Sequence, residues 1–267
     1  MNETLLVRQN GSNQQFLELK EVSKDFAGLR AVNEVKFNVR KGEIIGIIGP
    51  NGAGKTTLIN MINGFLPVTK GEIYFKGLKL NGLPAYQICA LGVARIFQNK
   101  QIFSNMSIIE NVMIGIHRRG QVGLLPVMLN LKQARKKEKQ YFEEGSEILS
   151  RVGINLNPYR LAKDLSAKEQ TLLGIARGLA CKPMLFLLDE PVAGLSIEEI
   201  YTVANLILSL RKQGLTIILI EHRMEIVMGI CDRLIVLNFG QKIADDIPEK
   251  IRENKQVISA YLGEKLI

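Results

Sequence analysis

The sequence predicts an α/β fold whose parallel sheet carries a smaller antiparallel subdomain and a helical insert. Ile44-Ile45-Gly46-Ile47-Ile48, Leu185 to Leu188 and Leu215 to Ile220 are short unbroken apolar runs, the pattern of strands covered on both faces in a parallel sheet. Elsewhere the apolar residues alternate. Leu17 and Leu19 share one face, Val35, Phe37 and Val39 interleave with Lys36, Asn38 and Arg40, and Ile73 and Phe75 point inward from Gly71 to Lys76. Alternation of that kind belongs to antiparallel strands with one wet face. Residues 104 to about 180 read as helices that interrupt the α/β core.

The chain has 267 residues, 46% of them hydrophobic, enough for one large domain or two small ones. No apolar run approaches the ~18 to 20 residues that cross a bilayer. Residues 1–15 read as a flexible polar tail without the apolar core of a signal peptide, and the expectation is a protein that stays in the cytoplasm. Cys89, Cys181 and Cys231 are odd in number and lie outside any C-x-x-C spacing. They indicate neither a disulfide framework nor a zinc site and are expected to be buried small apolar residues in a reducing compartment.

The net charge is +9, which invites nucleic acid, nucleotide or an anionic membrane face. Much of it clusters at Lys132, Arg135, Lys136, Lys137 and Lys139. No aromatic residues interleave that cluster as they would in a single-strand binder, so a solvated helix face is expected, with membrane contact as the competing reading.

Taken in order, two strands begin at Phe16, with Phe26 between them. An aromatic just ahead of the next apolar strand can stack on a nucleobase or join the core. Ile44 to Ile48 then empties into Gly49-Pro50-Asn51-Gly52-Ala53-Gly54-Lys55-Thr56-Thr57, and the apolar positions Leu58, Met61, Ile62 and Phe65 that follow have helical spacing. This is a G-x-x-x-x-G-K-[ST] phosphate loop in its strand, loop and helix setting. Its glycines let backbone N–H groups close around polyphosphate oxygens at the positive end of a helix. Lys55 would reach the β and γ phosphates, and the Thr56 hydroxyl would bind Mg2+.

Ser107-Ile108-Ile109-Glu110 is a capping box, with Ile109, Val112, Met113 and Ile116 on one helical face. A loop from Gly120 to Pro126 leads to a charged amphipathic helix over roughly Leu131 to Val152. Another helix starts at Ser166, with Leu172, Ile175, Ala176 and Leu179 as its stripe. The core resumes with Leu185 to Leu188 and Asp189-Glu190; here Asp189 would hold the metal and Glu190 would orient or deprotonate an attacking water. A second capping box, Ser196-Ile197-Glu198-Glu199, opens a helix ending near Lys212 and Gly214. Leu215 to Ile220 then delivers Glu221 and His222 to a strand end, where open parallel sheets place ligand chemistry. His117 is read as structural, whereas His222 is placed to touch the γ-phosphate or the water.

Together these residues resemble the nucleotide-binding subunit of ATP-binding-cassette transporters, over residues 16–267. The resemblance implies a phosphate-loop NTPase core with a helical subdomain inserted at about 99–180. It assigns Phe26 to adenine stacking, Gly49 to Thr57 to Walker A, Gln98 to the Q-loop, Leu185 to Glu190 to Walker B, Ala193-Gly194-Leu195-Ser196 to the D-loop and His222 to the switch histidine. Gln98, which means little alone, joins Thr56 and Asp189 as a ligand of Mg2+. Phe26-Ala27-Gly28-Leu29-Arg30-Ala31-Val32, Ala94-Arg95-Ile96-Phe97-Gln98, the long Gly115 to Val152 insert, Ile220-Glu221-His222-Arg223-Met224 and Ala260-Tyr261-Leu262-Gly263-Glu264 are most similar to the larger ATPase subunit of branched-chain amino-acid importers. The implied function is ATP hydrolysis, with ATP and Mg2+ as cofactors, driving uptake through transmembrane permeases. A second ATPase subunit, identical or not, and indirectly a substrate-binding protein complete the partners. The place is the cytoplasmic face of the cell membrane, and no nucleic acid is expected. A cytoplasmic cassette ATPase outside transport and a regulatory subunit with weak hydrolysis are the alternatives.

One motif departs from the family. Where the signature normally reads Leu-Ser-Gly-Gly-Gln, this chain has Leu165-Ser166-Ala167-Lys168-Glu169. Ser166 to Glu169 is itself a capping box, so the serine is expected to serve its own helix while Glu169 brings negative charge to where an opposite subunit's γ-phosphate would approach. A weakened trans site, and hence a functional asymmetry with a non-identical partner, is the expectation. Ser196 replaces the aspartate that many members carry in the D-loop, which its capping box with Glu199 explains.

Overall fold

The computed structural model describes residues 16–97, 102–117 and 131–263. In chain order these form β1 (Leu17–Phe26), β2 (Leu29–Val39), β3 (Ile44–Ile48), α1 (Lys55–Ile62), β4 (Lys70–Phe75), β5 (Leu78–Lys79), α2 (Ala85–Ala90) and β6 (Val93–Ile96). A helical stretch follows: α3 (Ile108–His117), α4 (Leu131–Arg151), a 3-10 turn over Ala162–Asp164 and α5 (Ala167–Ala180). The chain continues through β7 (Leu185–Asp189), α6 (Ile197–Lys212), β8 (Thr216–Ile220), α7 (Met224–Ile230), β9 (Arg233–Asn238), β10 (Gln241–Asp246), α8 (Pro248–Glu253) and α9 (Lys255–Gly263).

The two strand patterns separate into two sheets. The alternating strands make an antiparallel sheet in the order β2-β1-β4-β5. The continuous runs make the middle of a sheet ordered β10-β9-β3-β8-β7-β6, in which β9, β3, β8, β7 and β6 run parallel and β10 returns antiparallel. Each central strand feeds two cores, as a strand buried on both faces must. Ile45 and Ile47 face the antiparallel sheet and α1 along with Leu185, Leu187, Ile218 and Ile220. Ile44, Ile48, Phe186, Leu188, Ile217 and Leu219 face α5, α6 and the rest of the helical side.

Between β6 and β7 the described residues hold helices and no strand; α3 packs on both α4 and α5. Arg135 to Gln140 on α4 are exposed, so the basic cluster is solvated where its side chains are described. His117 lies edge-on to Tyr141 with ring centroids 4.6 Å apart. Two expectations need correcting. Only Cys231 is buried, while Cys89 and Cys181 are half-buried and line a groove. Phe65 lies beyond the end of α1 and is exposed, since Asn63 closes the helix and the chain turns at Gly64 with φ +76°. Residues 1–15, the loop from Gly120 to Pro126, Gln98 and Glu264 fall outside the described residues.

Helix α3 starts as its capping box requires. The Ser107 N–H and Oγ–H both donate to the Glu110 carboxylate at 2.7 Å, and the Glu110 N–H donates to Ser107 Oγ at 3.3 Å. The Ser107 hydroxyl, followed by the Ser107 backbone N–H, holds the Glu110 carboxyl below its usual range. The Ser107→Ala protein is expected to lose about 1 kcal/mol, a fall of roughly 2–4 °C in the thermal midpoint for a domain of this size. Because the folded Glu110 pKa is depressed, its stabilisation is complete above the ordinary glutamate pKa and is lost as pH falls. The stability gap between parent and Glu110→Gln should therefore be widest at neutral pH and close on acidification, as measured by denaturant titration.

Candidate nucleotide site

Strand order builds the site. Because β3, β8 and β7 are neighbours and parallel, their C-terminal ends come out along one edge of the sheet, with Ile47 opposite Ile220 and Ile220 opposite Asp189. Gly49 to Lys55, Asp189-Glu190 and Glu221-His222, separated by up to 173 positions in sequence, leave that edge together.

The phosphate loop is held by backbone. The Gly240 N–H, in the β9–β10 turn, donates to Ala53 O at 3.1 Å, and Asn33 N–H donates to Gly240 O at 2.8 Å, so loop, hairpin and β2 are pinned together. Gly49 has φ +145°, and a Cβ there would sit 2.0 Å from Leu237 O. Gly52, at φ +74°, faces open space, leaving room for a ligand against bare backbone. Lys55 is buried, its ammonium donating to the carbonyls of Gly49 (2.7 Å) and Pro50 (2.8 Å). Those bonds hold its charge over the loop. Thr56 is exposed at the start of α1. Phe26 ends β1 and is 40% exposed rather than buried in the core, with the Lys24 ammonium over its ring, 5.0 Å from the centroid.

Asp189 is buried at the end of β7, and its Oδ2 receives Arg95 Nη2 at 2.7 Å. Its Oδ1 is buried with no partner among the described residues, and an orphaned carboxylate oxygen of this kind needs a counterpart that those residues do not supply. Glu190 follows at φ +49°, a conformation costing a non-glycine residue on the order of 1–3 kcal/mol. Its N–H donates to Ile220 O at 3.0 Å, and its Oε1 lies 2.8 Å from His222 Nε2. The glutamate carboxylate, held by the imidazole, can orient and deprotonate a water beside the pair.

Two residues of this region carry more than the sequence suggested. Glu221 is buried, accepting from Val192 N–H at 3.1 Å and His222 N–H at 3.3 Å. Burial pushes its carboxyl above the usual range, against the pull of those two N–H groups. It thereby joins the segment after β7 to the segment after β8. Arg95, in β6, bonds Asp189 and also Asn60 of α1. The clue to Arg95 was a cation inside the apolar stretch Ala94 to Phe97.

At the signature position, Ser166 caps α5: its N–H donates to Glu169 Oε2 at 2.7 Å and its Oγ accepts from Glu169 N–H at 3.3 Å. The Ser166 N–H in particular holds the Glu169 carboxyl below its usual range. Ser166 and Ala167 are exposed, and Lys168 is half-buried. Ser196 makes the matching box with Glu199.

Comparison with known proteins places this arrangement. The ABC transporter family matches residues 32–193. The chain belongs to that family. This ATP-binding cassette is of the LivG type and binds and hydrolyses ATP. It is 40% identical over 253 residues to the high-affinity branched-chain amino acid transport ATP-binding protein LivG of Salmonella typhimurium, covering 94% of this chain and 99% of that one. It is 39% identical to the corresponding BraF protein of Pseudomonas aeruginosa, covering 93% and 98%. A second family, the branched-chain amino acid ATP-binding cassette transporter, matches residues 241–266 of the cassette. The crystal structure of an ATP-binding cassette of an ABC transporter in its ADP conformation superposes with a TM-score of 0.82 at 32% identity, covering 94% of this cassette and all of that chain.

Replacing Glu221 by Ala would leave two N–H groups beside the site without an acceptor, a loss of about 1–3 kcal/mol in chemical denaturation. Glu221→Gln, which keeps one acceptor oxygen, should lose less.

Proposed function

We propose that this cassette powers the import of branched-chain amino acids or close relatives, working on the cytoplasmic face of the cell membrane against permease subunits and drawing on a substrate-binding protein. The observation that carries the reading is the gathering of Lys55, Asp189 and the Glu190–His222 pair at three adjacent strand ends. The names of its LivG and BraF relatives and the match over residues 241–266 point to the transported class. No described helix is long and apolar enough to cross a membrane, so the passage itself would belong to the partners.

In this reading the loop amides and Lys55 take the β and γ phosphates, and Phe26 stacks on the base. A metal fits here. Thr56 and the unpartnered Oδ1 of Asp189 are hard oxygen donors, with Gln98 as the third protein ligand. No described cluster of three or more acidic, histidine or cysteine residues exists to cage an ion unaided, which suits Mg2+ shared with phosphates. Bound there, Mg2+ would neutralise charge developing on the phosphoryl oxygens. Glu190 takes the proton of the attacking water, and His222, bonded to Glu190, keeps that carboxylate aimed and faces the γ-phosphate. The half-buried groove lined by Phe65, Tyr86, Arg95, Phe97 and Phe103 would receive a cytoplasmic helix of a permease.

The partner cassette is non-identical. Glu169 fills the N-terminus of α5 with its own carboxylate, so Ser166 to Glu169 repels the phosphate of an opposite subunit where an intact signature would attract it. The complete site therefore combines Walker A, Walker B and His222 of this chain with the signature of a different cassette.

Lys55→Ala should lower ATP turnover of the reconstituted transporter by about two orders of magnitude or more. Glu190→Gln should do the same by loss of the base, about 10²–10⁴-fold, with nucleotide still bound. In the mixed dimer the equivalent glutamine change in the partner should cost far less. Equal losses would contradict the asymmetry, and amino-acid uptake that persists with Lys55→Ala would contradict the function.

A further inference from the structure

Arg95 stands at a junction of three surfaces. Its side chain is 6% exposed, and Nη2 donates to Asp189 Oδ2 at 2.7 Å. Nη1 donates to Asn60 Oδ1 on α1, the helix that the phosphate loop opens. Arg95 Cζ lies over the Phe97 ring, 4.4 Å from its centroid, and Phe97 meets Phe65 edge-on at 5.2 Å on the wall of the groove. One planar cation thus holds the carboxylate at the end of β7, the first helix and the groove wall in register.

The ion pair has a consequence for metal binding. A carboxylate this buried is costly unless its charge is balanced, and Arg95 supplies that balance. The pair is neutral as a unit, so a bare divalent cation gains little by approaching Asp189 alone. Oδ2 is committed to the guanidinium, which leaves Oδ1 as the single oxygen on offer. We propose that Arg95 is a positioning residue that limits Asp189 to one metal-facing oxygen and makes divalent-ion binding depend on nucleotide, so that Mg2+ is retained only when it arrives with phosphate oxygens.

This rests on the reading of Asp189 as a metal carboxylate given above, but its test reads the metal without turnover. The full-length protein is titrated with Mn2+ alone, without nucleotide, and free Mn2+ is followed by electron paramagnetic resonance while the thermal midpoint is recorded. The parent protein should bind Mn2+ weakly and melt at the same temperature with and without it. Arg95→Met leaves a buried unbalanced charge; it should melt lower, bind Mn2+ about tenfold or more tightly than the parent, and regain stability as Mn2+ is added. If Arg95→Met does not fold, Arg95→Lys carries the test. Lysine keeps the charge but lacks the planar fork that spans Asp189 and Asn60 together, and a severalfold gain in Mn2+ affinity is expected. A parent that binds Mn2+ alone as tightly as either variant, or variants that gain no Mn2+ affinity, would overturn the proposal. ATP binding measured on the same samples separates the cases: if ATP does not bind, the functional reading fails first, whereas ATP bound normally with no change in Mn2+ affinity refutes the role of Arg95 alone.

Discussion

Everything at the nucleotide edge depends on the parallel hydrogen-bond ladder that places β8 between β3 and β7. Its register sets Ile220 against both Ile47 and Asp189, and Ile220 O also takes the N–H of Glu190. The backbone of one strand therefore fixes where the phosphate loop begins, where the acid pair ends and where His222 emerges. A slip of one residue would turn every side chain on that strand to the opposite face, sending the two cores as well as the site out of alignment. The unbroken apolar runs do not set that register by pattern; the close packing of particular side chains on both faces does.

On that ladder the chain stores order in polar groups that local structure alone would not hold. Glu190 keeps a left-handed backbone conformation between an N–H bond to β8 and a side-chain bond to His222. Glu221 clamps the backbone on both sides of the same pair. Arg95 does the equivalent for Asp189. Glu190, Asp189 and the imidazole are each held by a neighbour from a different strand, an arrangement fixed by the protein itself, the condition under which fixed charges act most strongly on a reacting phosphate. At the opposite end of the same strands, Glu43, Arg233, Asp245 and Lys242 form a paired network that ties β3, β9 and β10 together.

What could be read from the sequence was local in character. The phosphate loop, the acid pair after an apolar strand, and the capping boxes at Ser107, Ser166 and Ser196 are set by residues within a few positions of one another, and the capping-box contacts are all present. Strand β6 and the β9–β10 hairpin are not among the predicted elements, although Leu234 to Leu237 is an apolar run of the same kind as the others. A cation inside an apolar stretch singles out Arg95, but the partners of Arg95 and Glu221 lie 94 and 29 positions away and only the sheet order brings them together. Cys89 and Cys181 are half-buried rather than buried for a related reason: a groove between α2, β6 and α5 leaves them partly uncovered, and no pattern along the chain marks a groove.

The most direct test of the central claim, that the ends of β3, β7 and β8 form one Mg·ATP site, is electron–nuclear spectroscopy of Mn2+ bound together with ATP to the full-length chain. Hyperfine coupling of the manganese to nucleotide phosphorus, with Mn2+ affinity falling about tenfold in Asp189→Asn while metal-free ATP still binds, is the predicted result. Manganese that shows no phosphorus coupling, or that binds Asp189→Asn as well as the parent, would contradict it.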